Sequence, residues 1–235
     1  MTLLQVKDLV TGYGSRQVIN GLTLDVGVHE IVAIVGHNGS GKSTLLKAIF
    51  GLRPIWTGEL RFGGKTIGFP TPISLLNLGV SYVPQGNRVF PNLTVQENLE
   101  LAGVSLNDRE TLSRRIQSVL KLFPQISFRL AQRSGTLSGG EKQALALASG
   151  LIISPRLLLL DEPSLGLAPQ LVKNVLGHIR SISGDGGVSV LIVEQKVREV
   201  LEIADRVYVL RNGSVSFSGP ASQLDQEEML RDVYL

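Results

Sequence analysis

A glycine-rich turn at residues 36–44 carries the residue types that bind phosphate. The turn reads GHNGSGKST and fits the P-loop pattern G-x-x-x-x-G-K-S/T. Closely spaced glycines let successive backbone N–H groups point inward and surround the phosphates of a nucleotide. The turn follows an apolar run at 31–35 and precedes another at 45–49, which predicts a strand, a turn and a helix. We predict a nucleotide site formed by Gly36, Asn38, Gly39, Ser40, Gly41, Lys42, Ser43 and Thr44.

We predict direct contacts with the phosphates and with Mg²⁺ for two side chains at the end of this turn. Lys42 can reach the β- and γ-phosphates of the nucleotide, and the hydroxyl of Ser43 can hold Mg²⁺. The helix that follows begins with unpaired backbone amides and the positive end of its dipole. Both features favour negative charge at this point of the chain.

Two adjacent acids, Asp161 and Glu162, follow the apolar run 157–160. Such a run is typical of a parallel strand that is buried on both faces. Successive side chains of a strand point to opposite sides, so we predict that the two acids have different roles. One acid would reach Mg²⁺, and the other would polarise a water that attacks the γ-phosphate. The alternative, in which they only cap the next helix, is disfavoured by the P-loop in the same chain.

Tyr13 and Gln85 have positions that suit a ligand, but each also has a simple structural explanation. Tyr13 lies between two glycines, so one side of its ring can stack on a flat ligand such as adenine. The alternative is an aromatic side chain that covers a sheet edge. Gln85 follows a predicted strand at 80–83, where ligands collect in α/β sheets, and its amide can meet a metal ion or a water. The alternative is a solvated loop residue.

The segment Leu-Ser-Gly-Gly-Glu at 137–141 opens another predicted helix, at 142–152. Ser138 and Glu141 have the spacing of a capping box. Gly139 and Gly140 need a further explanation, because each glycine lowers helix stability by about 1 kcal/mol relative to alanine. A bare, amide-rich helix start suits a phosphate. Since the P-loop already holds phosphates in this chain, a second such surface favours a composite site shared by two chains.

The elements that position these residues predict an α/β fold with one domain over 1–235. The P-loop core and an antiparallel β subdomain would occupy 1–90 and 150–235, and a helical subdomain would occupy 91–149. Alternating strands are predicted at 3–10 and 18–26. Thr94 and Glu97 form a second capping box, and Asn107 and Asp108 precede a further helix. A short helix and tail follow residue 220.

Composition excludes several classes of function. The chain has 235 residues, no cysteine and 43% apolar residues, so it can bury a large core without disulfides. Neither a signal peptide nor an apolar run long enough to span a membrane is apparent, so we expect a cytosolic chain that meets membranes only through a partner. A net charge of +3 and 5% aromatic residues do not suggest nucleic-acid binding.

In order along the chain, Tyr13, the turn 36–44, Gln85, the segment 137–141 and the run 157–163 resemble the ATP-binding cassette (ABC) ATPases. The resemblance covers essentially the whole chain and implies a mixed sheet with antiparallel β and helical subdomains. It implies that two cassettes close head to tail around two ATP molecules. The roles it implies are adenine stacking for Tyr13, Mg²⁺ and water contact for Gln85, Mg²⁺ binding for Asp161, general base for Glu162, a switch for Gln195, and a grip on the partner's γ-phosphate for Ser138, Gly139 and Gly140.

Finer likeness lies in the segments 82–86, 90–98, 161–169 and 193–195. These resemble the smaller ATPase subunit of bacterial importers for branched-chain or other hydrophobic amino acids, whose relatives also serve urea and short amides. The resemblance implies a second cassette, identical or different, as well as permease subunits and, indirectly, a periplasmic solute-binding protein. It also implies a cytoplasmic position on the inner face of the cell membrane.

Two other classes of protein remain as alternatives. A soluble ABC-type ATPase acting on ribosomes or DNA usually has two cassettes or a long coiled-coil insertion, and this chain has neither. A GTPase or small-molecule kinase would use the same P-loop, but the guanine-reading motif Asn-Lys-x-Asp is absent.

Three positions depart from the usual family pattern. Gln195 stands where most members have histidine, so this side chain can donate a hydrogen bond but cannot titrate near neutral pH. The loop 164–167 has leucine where many cassettes have aspartate, so its contact across a dimer should differ. Ser149 stands where the helix that begins at the segment 137–141 often carries arginine in this family, which puts a stabilising ion pair in doubt.

Overall fold

The computed structural model describes residues 1–86, 88–106, 108–184 and 186–224. Asn107 and the tail from residue 225, both part of the predictions above, lie outside the described residues. The strands are β1 (Thr2–Tyr13), β2 (Arg16–Gly27), β3 (Ile31–Val35), β4 (Thr57–Phe62), β5 (Lys65–Thr66), β6 (Val80–Val83), β7 (Leu157–Asp161), β8 (Ser189–Val193), β9 (Arg206–Arg211) and β10 (Ser214–Pro220). The helices are α1 (Lys42–Ile49), α2 (Pro72–Asn77), α3 (Val95–Ala102), α4 (Arg109–Leu122), α5 (Pro124–Ser127), α6 (Gly139–Leu151), α7 (Pro169–Gly184), α8 (Val197–Leu201) and α9 (Ala221–Leu224).

These strands form two sheets. The first is antiparallel, with strand order β2-β1-β4-β5, and it confirms the predicted antiparallel pairing of the first two strands. The second has the order β10-β9-β3-β8-β7-β6 and is parallel except for its edge strand β10. β9 and β10 are joined at Asn212 and Gly213, which have φ values of 49° and 78° and form the predicted hairpin turn.

Strand β3 shows how the mixed sheet is buried on both faces. Val32 and Ile34 belong to an apolar cluster with α1 and the antiparallel sheet. Ile31, Ala33 and Val35 belong to a second cluster, which contains residues of α3, α4 and α6 to α8. Because neighbouring side chains of one strand face different layers, its five residues are all apolar rather than alternating. The P-loop that follows β3 therefore emerges from the centre of the molecule.

Helices α3 to α6 form the region that was predicted as a helical subdomain. Both predicted capping boxes are present, with Thr94 and Glu97 at the start of α3 and Ser138 and Glu141 at the start of α6. α6 begins at Gly139 rather than at residue 142, because the capping box includes the two glycines in the first helical turn. The division of the chain at 90/91 and 149/150 stays a prediction, and its second boundary falls inside α6.

Within the described residues, no helix is both long enough and apolar enough to cross a lipid bilayer.

Candidate nucleotide site

The P-loop is shaped by backbone that only glycine tolerates. Gly41, directly before α1, has φ 107°, and a side chain there would meet Ile19 at 2.7 Å. Gly36 has φ 150°, and a side chain there would collide with the backbone carbonyl oxygen of Leu210. Gly213 of the β9–β10 turn also donates its N–H to the carbonyl of Ser40 at 3.0 Å. The hairpin turn and β9 therefore support the loop from outside.

Lys42 is buried at the start of α1, and its ammonium lies inside the loop. The Nζ atom donates to the carbonyl oxygens of Gly36 at 2.7 Å and His37 at 3.0 Å. Burial lowers the pKa of Lys42, while the nearby charges of Glu162, Asp161 and Glu194 act in the opposite direction. An ammonium held by neutral carbonyls is well placed to exchange them for phosphate oxygens, which are stronger partners.

The hydroxyl of Ser40 supports the same interpretation. Its Oγ is buried and has no hydrogen-bond partner among the described residues. A buried hydroxyl without a partner is unfavourable by about 1–3 kcal/mol. An oxygen-rich ligand in the loop would supply the missing acceptor, so the loop fits a bound phosphate chain.

Asp161 is the acid beside the P-loop. Its Oδ1 accepts a hydrogen bond from Ser43 Oγ at 2.7 Å, and its Oδ2 accepts one from the hydroxyl of Tyr82 at 2.9 Å. Burial raises the pKa of Tyr82, and the Asp161 charge acts in the same direction, so this hydroxyl remains a donor. A carboxylate next to a serine hydroxyl is a hard oxygen donor set of the kind that Mg²⁺ prefers.

Protein side chains alone do not form a metal cage in this region. The described residues contain no group of three or more His, Cys, Asp or Glu side chains that could hold a metal ion. Mg²⁺ typically binds through one or two protein oxygens, with the remaining positions filled by substrate phosphates and water. The pair of Ser43 and Asp161 fits Mg²⁺ in that form.

Glu162 lies between two amide side chains. Its Oε2 accepts from Gln85 Nε2 at 2.7 Å and its Oε1 accepts from Gln195 Nε2 at 2.8 Å. The residue has φ 48°, so it leaves the strand that ends at Asp161. The two acids are therefore separated by a left-handed backbone turn, and not by the strand alternation that we predicted. The structure places the Gln85 amide on Glu162 rather than on Ser43 and Asp161.

A third acid, Glu194, lies behind Glu162 and was not among the predicted site residues. It follows β8 and is 1% exposed. Its Oε1 accepts from the backbone N–H of Ser164 at 2.8 Å, and its Oε2 accepts from the N–H of Gln195 at 3.2 Å. One carboxylate thus joins the loop after Glu162 to the segment that carries Gln195. Its position directly after a buried parallel strand, as for Glu162 after β7, was the available sequence signal.

The pH dependence of stability provides a test of this burial. Burial raises the pKa of Glu194, with the Glu162 charge adding to the effect, so the unfolded chain releases this proton at a lower pH than the folded chain. Glu194 then lowers the free energy of unfolding as pH rises above about 4.5. For Glu194→Gln, we expect the Tm to rise relative to that of the parent as pH increases from 5 to 8. The rise should be about 2–4 °C for each kcal/mol by which ionised Glu194 lowers the parent's free energy of unfolding.

The control for this experiment is Glu202→Gln, because Glu202 is exposed just after α8. Calorimetry of this variant shows what the same substitution does at a position outside the buried site. A Tm difference for Glu194→Gln that is constant from pH 5 to 8 would contradict the prediction.

Tyr13 lies at the end of β1, close to α1. Its side chain is 38% exposed, and the guanidinium of Arg53 lies 4.1 Å from the centre of its ring. The Tyr13 hydroxyl accepts a hydrogen bond of 3.4 Å from Thr44 Oγ1. The ring therefore lies next to the P-loop helix, with a cation beside it. Its predicted role in adenine stacking stays a prediction.

Residues 138–140 lie against α7. The Oγ of Ser138 accepts from the N–H of Glu141 at 3.4 Å, and the N–H of Ser138 donates to that glutamate at 2.9 Å. A side chain at Gly140 would meet Leu171 at 3.2 Å. A cavity of about 270 Å³ beside this helix start is lined by residues of α5, α6 and α7 and by the flanking Phe123 and Ser138, and by none of the P-loop.

Comparison with known proteins assigns this arrangement to a family. The family model for the ABC transporter matches residues 19–165. The chain is 39% identical over 234 residues to BraG of Pseudomonas aeruginosa, a high-affinity branched-chain amino acid transport ATP-binding protein, and covers 99% of each chain. It is 39% identical over 226 residues to the "Probable branched-chain amino acid transport ATP-binding protein LivF" of Archaeoglobus fulgidus, with 96% of this chain and 95% of LivF covered. The solved ADP conformation of an ATP-binding cassette of an ABC transporter superposes with a TM-score of 0.90 at 25% identity, covering 100% and 98% of the two chains.

Proposed function

The chain belongs to the ABC transporter family of ATP-binding cassette ATPases, and from this premise we propose that it drives an importer for branched-chain or other hydrophobic amino acids. The observation that carries the proposal is the 39% identity to BraG over 99% of both chains. LivF, at the same identity, supports the same class of cargo. The ATPase itself would not contact the solute, so the cargo is proposed from these relatives.

We infer that the P-loop and Lys42 bind the phosphates of ATP. Lys42 would exchange the carbonyls of Gly36 and His37 for the β- and γ-phosphate oxygens. The Ser40 hydroxyl, which has no hydrogen-bond partner among the described residues, would gain an acceptor at the same time. Tyr13, next to Thr44, would stack on the adenine with the ring face that Arg53 does not cover.

We propose Ser43, Asp161 and Gln85 as the residues that hold Mg²⁺. When bound, Mg²⁺ supplies positive charge that stabilises the transferring phosphoryl group. Asp161 orients the Ser43 hydroxyl through their 2.7 Å hydrogen bond, so the two oxygens face the loop together. Gln85 would have to move from Glu162 towards this pair, and that motion would report the nucleotide state to the neighbouring residues 91–149.

Glu162 is the proposed general base. Gln195 holds its Oε1 at 2.8 Å, and Gln85 holds its Oε2 at 2.7 Å before it turns towards the metal. The carboxylate would then keep one fixed oxygen and have the other free to accept a proton from an attacking water. Gln195 cannot itself take a proton at neutral pH, so its role is to position Glu162 and to donate a hydrogen bond. Of the three side chains Gln85, Glu162 and Gln195, only Glu162 can therefore accept the proton.

A second cassette would complete the site. A side chain at Gly140 would meet Leu171 of α7, and the cavity beside Ser138 and Gly140 contains no P-loop residue of the same chain. Their helix start would meet the γ-phosphate bound by a partner cassette, which is either a second copy or a different subunit. Water exclusion between the two chains would strengthen the charge stabilisation that phosphoryl transfer requires. Isolated chains should therefore hydrolyse ATP slowly.

The remaining partners follow from the same proposal. The helical region at 91–149 would contact the permease subunits, and the core at 1–90 and 150–235 would hold the nucleotide. The chain would lie on the cytoplasmic face of the membrane through those permeases, with a periplasmic solute-binding protein acting indirectly. Nucleic acid has no place in this scheme.

Reconstitution tests the proposal. The chain would be coexpressed with the permease subunits and the solute-binding protein of an importer for branched-chain amino acids, and the complex would be placed in proteoliposomes. We expect copurification and ATP hydrolysis that leucine-loaded binding protein stimulates several-fold, while xylose and urea do not. A matched complex containing Glu162→Gln should show no stimulation. Failure of the chain to copurify with the permease subunits, or stimulation by urea alone, would overturn the assignment.

A further inference from the structure

Tyr82 contacts the proposed metal-binding acid but has no role in the function described above. It lies in β6, next to β7, which ends at Asp161. Its hydroxyl donates to Asp161 Oδ2 at 2.9 Å, while Ser43 donates to Oδ1 at 2.7 Å. Both oxygens of this carboxylate are therefore held, each by a hydroxyl from a different element.

The ring of Tyr82 is itself fixed by packing. It lies against the ring of Phe50, with 5.4 Å between ring centres and 34° between ring planes. Phe50 is the residue that caps the end of α1. The tyrosine thus packs against the helix that begins with the P-loop lysine, while its hydroxyl reaches the acid at the end of β7.

A carboxylate that is hydrogen-bonded through one oxygen can still rotate about its last side-chain bond. A second hydrogen bond to the other oxygen removes this freedom and leaves the remaining lone pairs pointing in fixed directions. Hydrogen bonds of this kind orient metal ligands, and their loss typically lowers metal affinity by about 10- to 100-fold. Water-mediated contacts to Mg²⁺ require the same fixed direction.

We propose that Tyr82 is a positioning residue that sets the orientation of Asp161 for a nucleotide-bound divalent cation. The proposal rests on the proposed role of Asp161 in the ATPase site. It assigns the positioning of Asp161 to the hydroxyl, and not to the ring. The ring serves packing, which phenylalanine would preserve.

The test compares the parent with Tyr82→Phe in the purified full-length chain. Binding of a fluorescent ATP analogue is titrated with Mg²⁺, and bound Mn²⁺ is counted by its electron paramagnetic resonance signal. We expect the half-saturating Mg²⁺ concentration to rise about 10-fold. Binding of the analogue in EDTA should stay unchanged, because the P-loop contacts do not involve Tyr82. The Tm of the variant verifies that it folds.

Tyr208→Phe is the matched control. The Tyr208 hydroxyl also donates to a carboxylate, Asp25 Oδ1 at 3.1 Å, but it lies in β9 and joins that strand to β2. This variant should leave the Mg²⁺ titration unchanged. An equal shift in both variants, or no shift in Tyr82→Phe, would overturn the proposal. A parent chain that binds the analogue without any Mg²⁺ dependence would instead overturn the proposed metal site.

Discussion

Replacing Glu162 with glutamine is expected to preserve ATP binding, nearly abolish ATP turnover and trap a dimer. The substituted amide has the same shape, so it can stay between Gln85 and Gln195, whose amides can rotate to match it. It cannot accept the proton of the attacking water, and loss of a general base typically lowers the rate by about 10²- to 10⁴-fold. Phosphate release measures turnover, and size-exclusion chromatography with ATP and Mg²⁺ measures dimer formation.

The matched control for this variant is Glu202→Gln, an identical substitution at an exposed position. It should hydrolyse ATP at the parent rate and should not accumulate as a dimer. Undiminished hydrolysis by purified Glu162→Gln would remove Glu162 as the base. Lost turnover without dimer formation would leave Glu162 as the base but contradict the shared site.

Short-range signals in the sequence predicted much of the fold. The capping boxes at Thr94 and Ser138 each involve residues three apart, and both are present in the structure. The hairpin at 212–213 likewise depends on a local backbone preference. The P-loop has the same character, because its glycines and its lysine act within one turn. The resemblance of such motifs, in their order along the chain, predicted the ABC family, and the family model and the relatives confirm it.

Contacts between distant segments could not be predicted in this way. The parallel order β3-β8-β7-β6 brings the ends of β6, β7 and β8 together, although they lie far apart in the sequence. That order allows Tyr82 to donate a hydrogen bond to Asp161, and Gln85 and Gln195 to donate hydrogen bonds to Glu162. The resemblance to a family predicted the glutamines as site residues. It gave no reason to single out Tyr82.

The left-handed backbone conformation of Glu162 is a second feature that could not be predicted from the sequence. Alternation along a strand predicted that two adjacent acids face opposite sides. The chain instead leaves β7 at this point, with the Glu162 N–H donating to the carbonyl of Val193 at 2.9 Å. A left-handed conformation is uncommon for residues other than glycine and is often found at functional sites. No local pattern in the sequence marks it.

Replacing Lys42 with alanine is expected to lower ATP affinity by about 10- to 100-fold, the equivalent of one charge-assisted hydrogen bond to phosphate. The buried ammonium already lies inside the loop on the carbonyls of Gly36 and His37. Residues 36–44 contain no other lysine or arginine that could replace it. Titration with a fluorescent ATP analogue measures the change. Lys47→Ala, which removes the same charge from a partly exposed position of α1, should bind normally. Unchanged ATP affinity in Lys42→Ala would count against the P-loop assignment. Weak ATP binding by Lys42→Ala together with normal ATP binding by Glu162→Gln would assign binding and hydrolysis to different residues of one site.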